Sequence, residues 1–450
     1  MSETFLAGFG RVDITPEKYG PLGGYGDEPY RICENILDHT YATCVALTDE
    51  TGETILLFTL DLLKATREVS LPAQALIAAE LGIPEDRIVF SATHTHAAHS
   101  TGMALDPIEA YIQSLPRLLL KAAREALEDR AKAAVLAGAT TVERMTFVRH
   151  YLMNDGNYSG PNFGADSRPS GYKAHADKAD EQLQLVRLVR ESARDIVMVN
   201  WQSHATITGA YQGIKKNLSA DYIGTMRDHF EGLSGCHFAY FQGACGNLVP
   251  GSQLEGEALI QEHNHILYGR KMAEFAMELL ENGLRPVQTG PVAARRKMYR
   301  GIIDHTEDHL VEKAKLVKQQ YYKLEDKAAK KALVRDNGFN SIHHAAAAIR
   351  RANRGAYTDM EINALRAGGI AFATVPYEMF CSNGMFVKNN SPFAVTFMLT
   401  NCDGTNSYLP DENAFRYDCY EVNVRCFARG VAEDIAGNLV DLLKGLHGQT

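Results

Sequence analysis

The 450-residue sequence has one tryptophan, Trp201, and its eight cysteines include no CxxC pair. Cysteines scattered through a chain this long read as reduced thiols, which excludes a disulfide framework. No run approaches the roughly 20 consecutive apolar residues that a transmembrane helix needs, so insertion into a membrane is not expected. Basic residues are in deficit: 46 Lys and Arg face 55 Asp and Glu, a net charge of -9. Phosphate binding needs concentrated cations to displace counterions, so nucleic acid is not expected as a partner. No Gly-, Ser- or Pro-rich linker, repeat or low-complexity stretch divides the chain, and a single catalytic domain over 1–450 is expected. The opening residues Met1-Ser2-Glu3-Thr4-Phe5-Leu6-Ala7-Gly8 have neither a basic n-region nor an apolar h-region, which points to a cytoplasmic protein.

What remains is ordinary globular material, 45% hydrophobic and 22% charged, long enough to bury a large core. Tyr41–Leu47 and Thr54–Leu63 read as strands joined by the turn Asp49-Glu50-Thr51-Gly52, a hairpin. A helix is expected from about Ser70 to Leu81, stopped by Gly82-Ile83-Pro84. Arg87–Ala92 is a short apolar strand, and Ile108–Glu128 carries Leu118, Leu119, Ala122 and Leu127 at helical spacing. Further strands are expected at Gln184–Val189, Ile196–Asn200, Phe238–Phe241, Gly369–Val375 and Ala394–Leu399, and helices at Glu257–Leu284 and Val431–Leu446. His309–Asn353, dense in Lys, Ala and Glu, reads as a helical pair inserted near 305–355. Strands and helices interleave without strict βαβ order, so the fold class is a mixed α/β (α+β) one, with mixed β-sheet layers flanked by helices.

Three of these strands run directly into residues that can do chemistry. Arg87–Ala92 leads into Thr93-His94-Thr95-His96, where histidines at i and i+2 on extended backbone share a face. Neutral imidazole is the commonest metal ligand, although core histidines bonded to backbone are equally common. Ile196–Val199 leads through Asn200-Trp201-Gln202-Ser203 to His204. Gly369–Val375 is closed by Pro376 and followed by Glu378, which can ligate a metal, act as a base, or simply lie in a surface turn. Phe241-Gln242-Gly243-Ala244-Cys245-Gly246-Asn247-Leu248-Val249-Pro250 is a strand and Gly-rich loop, either a site for oxyanion-binding amides or a plain turn. Cys245 reads as a small buried residue. Asn401–Tyr420 collects Tyr408, Tyr417 and Tyr420, as hydrogen-bond donors or as packing. His263 and His265 do not share a helical face. His343 and His344 are expected on the helical surface, and His99 in solvent.

In sequence order, these segments resemble the catalytic domain of the neutral/alkaline ceramidase family. The matches run from Ala7-Gly8-Phe9-Gly10-Arg11-Val12-Asp13-Ile14-Thr15-Pro16 and Pro21-Leu22-Gly23-Gly24-Tyr25 through Leu60-Asp61-Leu62, Ser91–His96 and Asn200-Trp201 with His204. They end with the loop closing at Pro250, Val375-Pro376 with Glu378, and Tyr408–Tyr420. The resemblance implies one zinc ion held by His94, His204, Glu378 and Tyr408. It also implies acid–base work by His96, and a scissile carbonyl held by Arg149 and Tyr420. A metal-activated water would then cleave a linear amide. Ceramidases are usually secreted and carry a C-terminal β domain, which is not expected here. Their loop usually reads Gly-Asp-x-Ser-Pro, where this sequence has Gly246-Asn247-Leu248-Val249-Pro250. A small, soluble N-acyl compound is therefore expected as the substrate rather than a membrane sphingolipid. Cleavage of an ester or lactone and a non-catalytic metal-binding role are the alternatives, and self-association into a homo-oligomer is left open.

Overall fold

The computed structural model describes residues 5–25, 31–102, 106–162, 168–210, 213–251, 264–404 and 407–448. Two sheets stack face to face, with helices on both outer surfaces. The larger has nine strands, in the order His237–Gln242, Ile196–Trp201, Gln182–Arg190, Ala131–Thr141, Leu6–Asp13, Tyr41–Thr48, Thr54–Leu60 and Ile88–Ala92, with Arg285–Val287 also paired to Ala131–Thr141. The smaller has four, in the order Val292–Ile302, Tyr357–Ala367, Ile370–Thr374 and Val395–Leu399. Most neighbours run antiparallel, but Thr54–Leu60/Ile88–Ala92, Ile196–Trp201/His237–Gln242 and Ile370–Thr374/Val395–Leu399 are parallel pairs.

The layering follows from the strand period of two. In Thr54–Leu60, Ile55 and Leu57 enter the core between the sheets, while Leu56, Phe58 and Leu60 meet the outer helices. The inter-sheet core sets Phe5, Val45, Val186, Met198 and Phe241 against Leu365, Ile370, Phe372, Phe397 and Leu399. Strands covered on both faces read as continuous apolar runs, as these do. Arg67–Leu81 and Asp106–Glu128 cover one half of the large sheet, and Tyr222–Ser234 and Asn264–Asn282 the other. Val431–His447 lays Ile435, Leu439, Leu443 and Leu446 on the small sheet at helical spacing, and each such side chain contributes about 1.5–3 kcal/mol when buried.

The expected mixed fold class is observed. The hairpin joins Tyr41–Thr48 to Thr54–Leu60, shorter than read, because Asp61 turns inward to accept from the Tyr41 amide and from Arg227. The first helix ends at Leu81 with Gly82 in the left-handed region, φ 69°, which glycine adopts without strain. Residues 257–263, read as the start of a helix and including His263, lie outside the described residues; the helix described there runs Asn264–Asn282. The inserted segment is three helices rather than a pair: Val311–Tyr321, Lys327–Asp336 and Ile342–Ala352. Asp326 and Ser341 cap the second and third, which is why Glu325-Asp326 and Asn340-Ser341 break the helical run.

Candidate metal centre

His94, His204 and Glu378 each follow the carboxyl end of a strand in one of the three parallel pairs. Such strand ends are where α/β sheets leave a crevice for ligands. A backbone bridge between Thr95 and Ala205, with the His96 amide donating to the Ala205 carbonyl at 2.9 Å, brings the first two together. His94 has φ 61°, rare for a side-chain-bearing residue, and this turn lets His94 and His96 converge. The two rings lie edge to face with centroids 4.8 Å apart, and His94 and His204 are likewise 4.8 Å apart.

The orientation of each ring is set by a carbonyl. His94 Nδ1 lies 2.8 Å from the Leu63 carbonyl, and His204 Nδ1 2.7 Å from the Leu248 carbonyl. A carbonyl only accepts, so each Nδ1 carries a proton and Nε2 is the atom turned toward the centre. Both Nε2 atoms point at Glu378 Oε2, at 3.4 Å from His94 and 3.3 Å from His204. His204 Nε2 and Glu378 Oε2 are buried and have no hydrogen-bond partner. Buried polar atoms are rarely left so, because the desolvation penalty is about 1–3 kcal/mol each.

A divalent ion fits this gap. Donors held at roughly 2.0–2.2 Å by one tetrahedral ion lie roughly 3.3–3.5 Å apart. His96 adds a third imidazole, its Nε2 3.2 Å from His94 Nε2, and the ligand atoms of His94, His96 and His204 lie within 4.8 Å of one another. The donor set, two or three imidazoles and a carboxylate, suits zinc.

Protonation states agree with that use. Burial, then the charges of the neighbouring rings, push His96 well below the usual histidine range, and burial drops His204 to about 4. Burial alone would raise the Glu378 carboxyl, but His94 and His204 beside it hold it well below its ordinary value. At neutral pH His96 and His204 are therefore neutral and Glu378 is an ionised carboxylate.

The remaining residues of the expected set lie around this centre. Tyr408 stands opposite Glu378 in a two-residue parallel pairing, Glu378–Met379 with Tyr408–Leu409, and burial followed by the Glu378 charge raises its hydroxyl well above the usual range. The Arg149 guanidinium carbon lies 5.7 Å from the Tyr408 ring centroid. Tyr420 meets Tyr408 edge to face at 6.0 Å, and burial pushes its hydroxyl up to about 12. The structure thus brings together all seven residues read from the sequence.

Several secondary expectations are corrected. The Gly-rich loop contributes two carbonyls: Leu248 orients His204, and Gly246 accepts from Arg149 Nη2 at 2.9 Å. A Cβ at Gly246 would sit 2.6 Å from the Glu378 carbonyl, so the loop can approach only with glycine there. Cys245 is buried as read, its thiol pushed up by burial. His99 is buried rather than in solvent, with Nε2 3.1 Å from the Lys18 carbonyl. His344 is buried, not on the surface, because Glu307 and Arg351 enclose it, and His265 is buried as well. Glu421, which holds Arg149, is missed in the sequence, and Gly24, quoted there only as part of the Pro21–Tyr25 motif, packs on His96. A glycine beside a catalytic loop and a lone acid in Glu421-Val422-Asn423-Val424 were the only signals available for them.

Fold and site together define a class: a two-sheet α/β sandwich with a buried histidine–carboxylate centre at the carboxyl ends of its strands. Among solved structures the chain is similar to the neutral ceramidase of Pseudomonas aeruginosa, with a TM-score of 0.74 at 16% identity, covering 99% of this chain and 75% of that one. It is similar also to a ceramidase described as complexed with C2, with a TM-score of 0.71 at 15% identity and the same coverage, 99% and 75%. No protein-family model matches the chain, and no curated protein matches it either. The chain has the neutral-ceramidase fold, as the ordered motifs implied.

Proposed function

We propose that this chain is a zinc-dependent hydrolase that cleaves a linear amide bond in a small, soluble N-acyl compound. The observation that carries the reading is the convergence of His94, His204 and Glu378 on one point, where buried His204 Nε2 and Glu378 Oε2 have no hydrogen-bond partner. The shared fold with neutral ceramidase supports the amide, and the altered loop Gly246–Pro250 supports a substrate other than a sphingolipid.

His94, His204 and Glu378, with the Tyr408 hydroxyl beside them, would hold the ion. When bound, zinc polarises a carbonyl oxygen and lowers the pKa of a water from about 15.7 toward ~7. His96, kept neutral at pH 7, accepts a proton on its imidazole as water attacks the amide carbon. It returns that proton to the leaving nitrogen, which cannot readily depart as an anion. Arg149 remains a cation because Glu421 outweighs the burial that would favour its neutral form. Arg149 and the protonated Tyr420 hydroxyl supply donors to the oxygen that gains charge, a contribution worth about 10²–10³-fold per donor in comparable sites.

The 3.2 Å between His96 Nε2 and His94 Nε2 favours a second reading of one residue, in which His96 is itself a ligand. Metal content of His96→Ala separates the two: a proton carrier leaves zinc in place with kcat lost, and a ligand takes zinc with it.

The test of the whole reading is elemental analysis of purified protein beside a His94→Ala/His204→Ala variant, run with hydrolysis assays on an N-acyl amine, its ester analogue and a ceramide. Near-stoichiometric zinc that disappears in the variant, with turnover of the N-acyl amine, is the expected result. Absence of metal after zinc is added back would remove the mechanism. Faster cleavage of the ester would move the activity to ester hydrolysis, and equal turnover of ceramide would overturn the substrate class.

A further inference from the structure

Beside the metal centre lies a second buried cluster, formed by two pairs of consecutive residues, Arg149-His150 and Tyr420-Glu421. The side chains of Arg149, His150 and Glu421 are 1%, 2% and 0% exposed. Arg149 Nε donates to Glu421 Oε1 at 2.6 Å, and Nη2 meets the same oxygen while donating to the Gly246 carbonyl at 2.9 Å. His150 Nε2 lies 2.8 Å from the other oxygen, Oε2. Both carboxylate oxygens are therefore engaged, each by a neighbour on the same short segment. The guanidinium also hydrogen-bonds to the Tyr408 side chain, which stands opposite Glu378.

We infer that Glu421 is a positioning residue that sets the Arg149 guanidinium, and through it the Tyr408 hydroxyl, against the metal centre. The inference rests on the proposed function for its kinetic consequences, not for its geometry. Three observations carry it. A buried guanidinium without a counter-ion is strongly unfavourable, and Glu421 is the carboxylate in contact with this one. Two bonds from one guanidinium to one oxygen fix direction as well as charge, a use for which arginine is suited and lysine is not. Finally, Glu421 follows Tyr420 directly at the start of the Tyr420–Val424 helix, so one ion pair ties together the segments bearing both groups proposed to hold the carbonyl.

His150, Cys419 and Glu421 lie close enough to hold an ion of their own. Arg149 already neutralises the carboxylate, and burial keeps the Cys419 thiol protonated, so the cluster acts as a clamp rather than a second metal site. Burial would raise the Glu421 carboxyl, but Arg149 and then His150 hold it well below the usual range, as a clamp requires.

The experiment is a double-mutant cycle on the zinc-loaded protein, with Glu421→Gln, Arg149→Gln and the double variant, alongside Glu421→Asp. Replacing the carboxylate by an amide removes the charge that balances the buried guanidinium and leaves one acceptor oxygen in place of two, so kcat of Glu421→Gln should fall on the order of 10²-fold with KM within about threefold. Glu421→Asp keeps the charge and should recover part of that loss. The double variant should be no slower than Arg149→Gln alone, because Glu421 acts through Arg149. Additive losses, or wild-type kcat in Glu421→Gln, would overturn the inference. A crystal structure of Glu421→Gln, or of Glu421→Asp if the former does not fold, reads the same question without a substrate. Arg149 displaced from the Gly246 carbonyl is the expected result, and an unmoved Arg149 and Tyr408 overturn the clamp. If the wild-type protein binds zinc but cleaves no amide, the proposed function fails while this structural comparison still decides the clamp.

Discussion

Two buried clusters built from the same residue types differ in where their polar atoms point. At the metal centre, His204 Nε2 and Glu378 Oε2 face one another at 3.3 Å and have no hydrogen bond. Under the inserted helices, His344 Nε2 lies 3.1 Å from Glu307 Oε2, its Nδ1 accepts from the Asn340 amide at 3.3 Å, and Arg351 closes on the same carboxylate. The second cluster satisfies itself and fastens the helices to the body of the protein. The first leaves these two atoms unsatisfied, as the proposed ion would require. Composition alone does not separate a structural ion cluster from a chemical site; the direction of the leftover lone pairs does.

The sharpest way to break this comparison is to remove one member from each cluster. His204→Ala should lose bound zinc and lower amide hydrolysis by about 10³-fold or more, since a metal supplies several kcal/mol to the transition state. Circular dichroism should show the chain still folded. Glu307→Gln should do the reverse. It leaves Arg351 without its carboxylate, and for a side chain that is 22% exposed the penalty is about 3 kcal/mol of stability, read by urea denaturation. The kcat of the folded protein should stay within about twofold, because a stability change alone does not alter the chemistry of the folded state. A kcat loss in Glu307→Gln as large as that in His204→Ala would erase the distinction.

A third variant sharpens the boundary of the first cluster. Gly24 has φ 109°, and a Cβ there would come within 2.4 Å of His96 Nδ1. Gly24→Ala should push the His96 ring out of place and lower kcat by about 10²-fold, a typical contribution of acid–base catalysis. Zinc content should hold at the wild-type level, since His94, His204 and Glu378 are untouched. Loss of zinc instead would move His96 into the ligand set.

How far the sequence reveals this depends on whether a feature is local. The strand-to-histidine transitions at His94 and His204 are local, because an apolar run ending in a polar ligand is visible along the chain. The Glu378 turn is legible for the same reason. The strands Ala131–Thr141, Val292–Ile302 and Tyr357–Ala367 were not read. Ala131–Thr141 is mostly Ala, Gly and Thr, and the Val292–Ile302 run Ala293-Ala294-Arg295-Arg296-Lys297 is low in strand-forming residues. Tertiary pairing decides those segments. His344 and His99 were placed on the surface because nothing near them in sequence shows Glu307, Lys18 or Tyr111 closing over them. Glu421 escaped for the same reason, since its partner lies 272 positions away.

His99 shares a trait with each cluster, one ring nitrogen bonded and one not, and gives the smallest effect. Its Nε2 meets the Lys18 carbonyl, its Nδ1 is buried without a partner, and its ring packs against Tyr111. Burial lowers its pKa to about 4, below an unfolded value of about 6.5. The unfolded chain therefore takes up a proton as the pH drops through 6.5, while the folded protein does not until about 4. Stability falls as pH falls across that window, by about 2 kcal/mol from this residue at pH 5. His99→Gln removes the titration and keeps an amide donor for the Lys18 carbonyl. Urea denaturation of the zinc-free proteins at pH 7 and pH 5 should show the variant losing about 2 kcal/mol less than wild type between the two. Equal losses would mean that the folded protein protonates His99 readily, by opening the Lys18 segment over it. The residue would then belong to a loosely closed surface rather than to the interior that frames the metal centre.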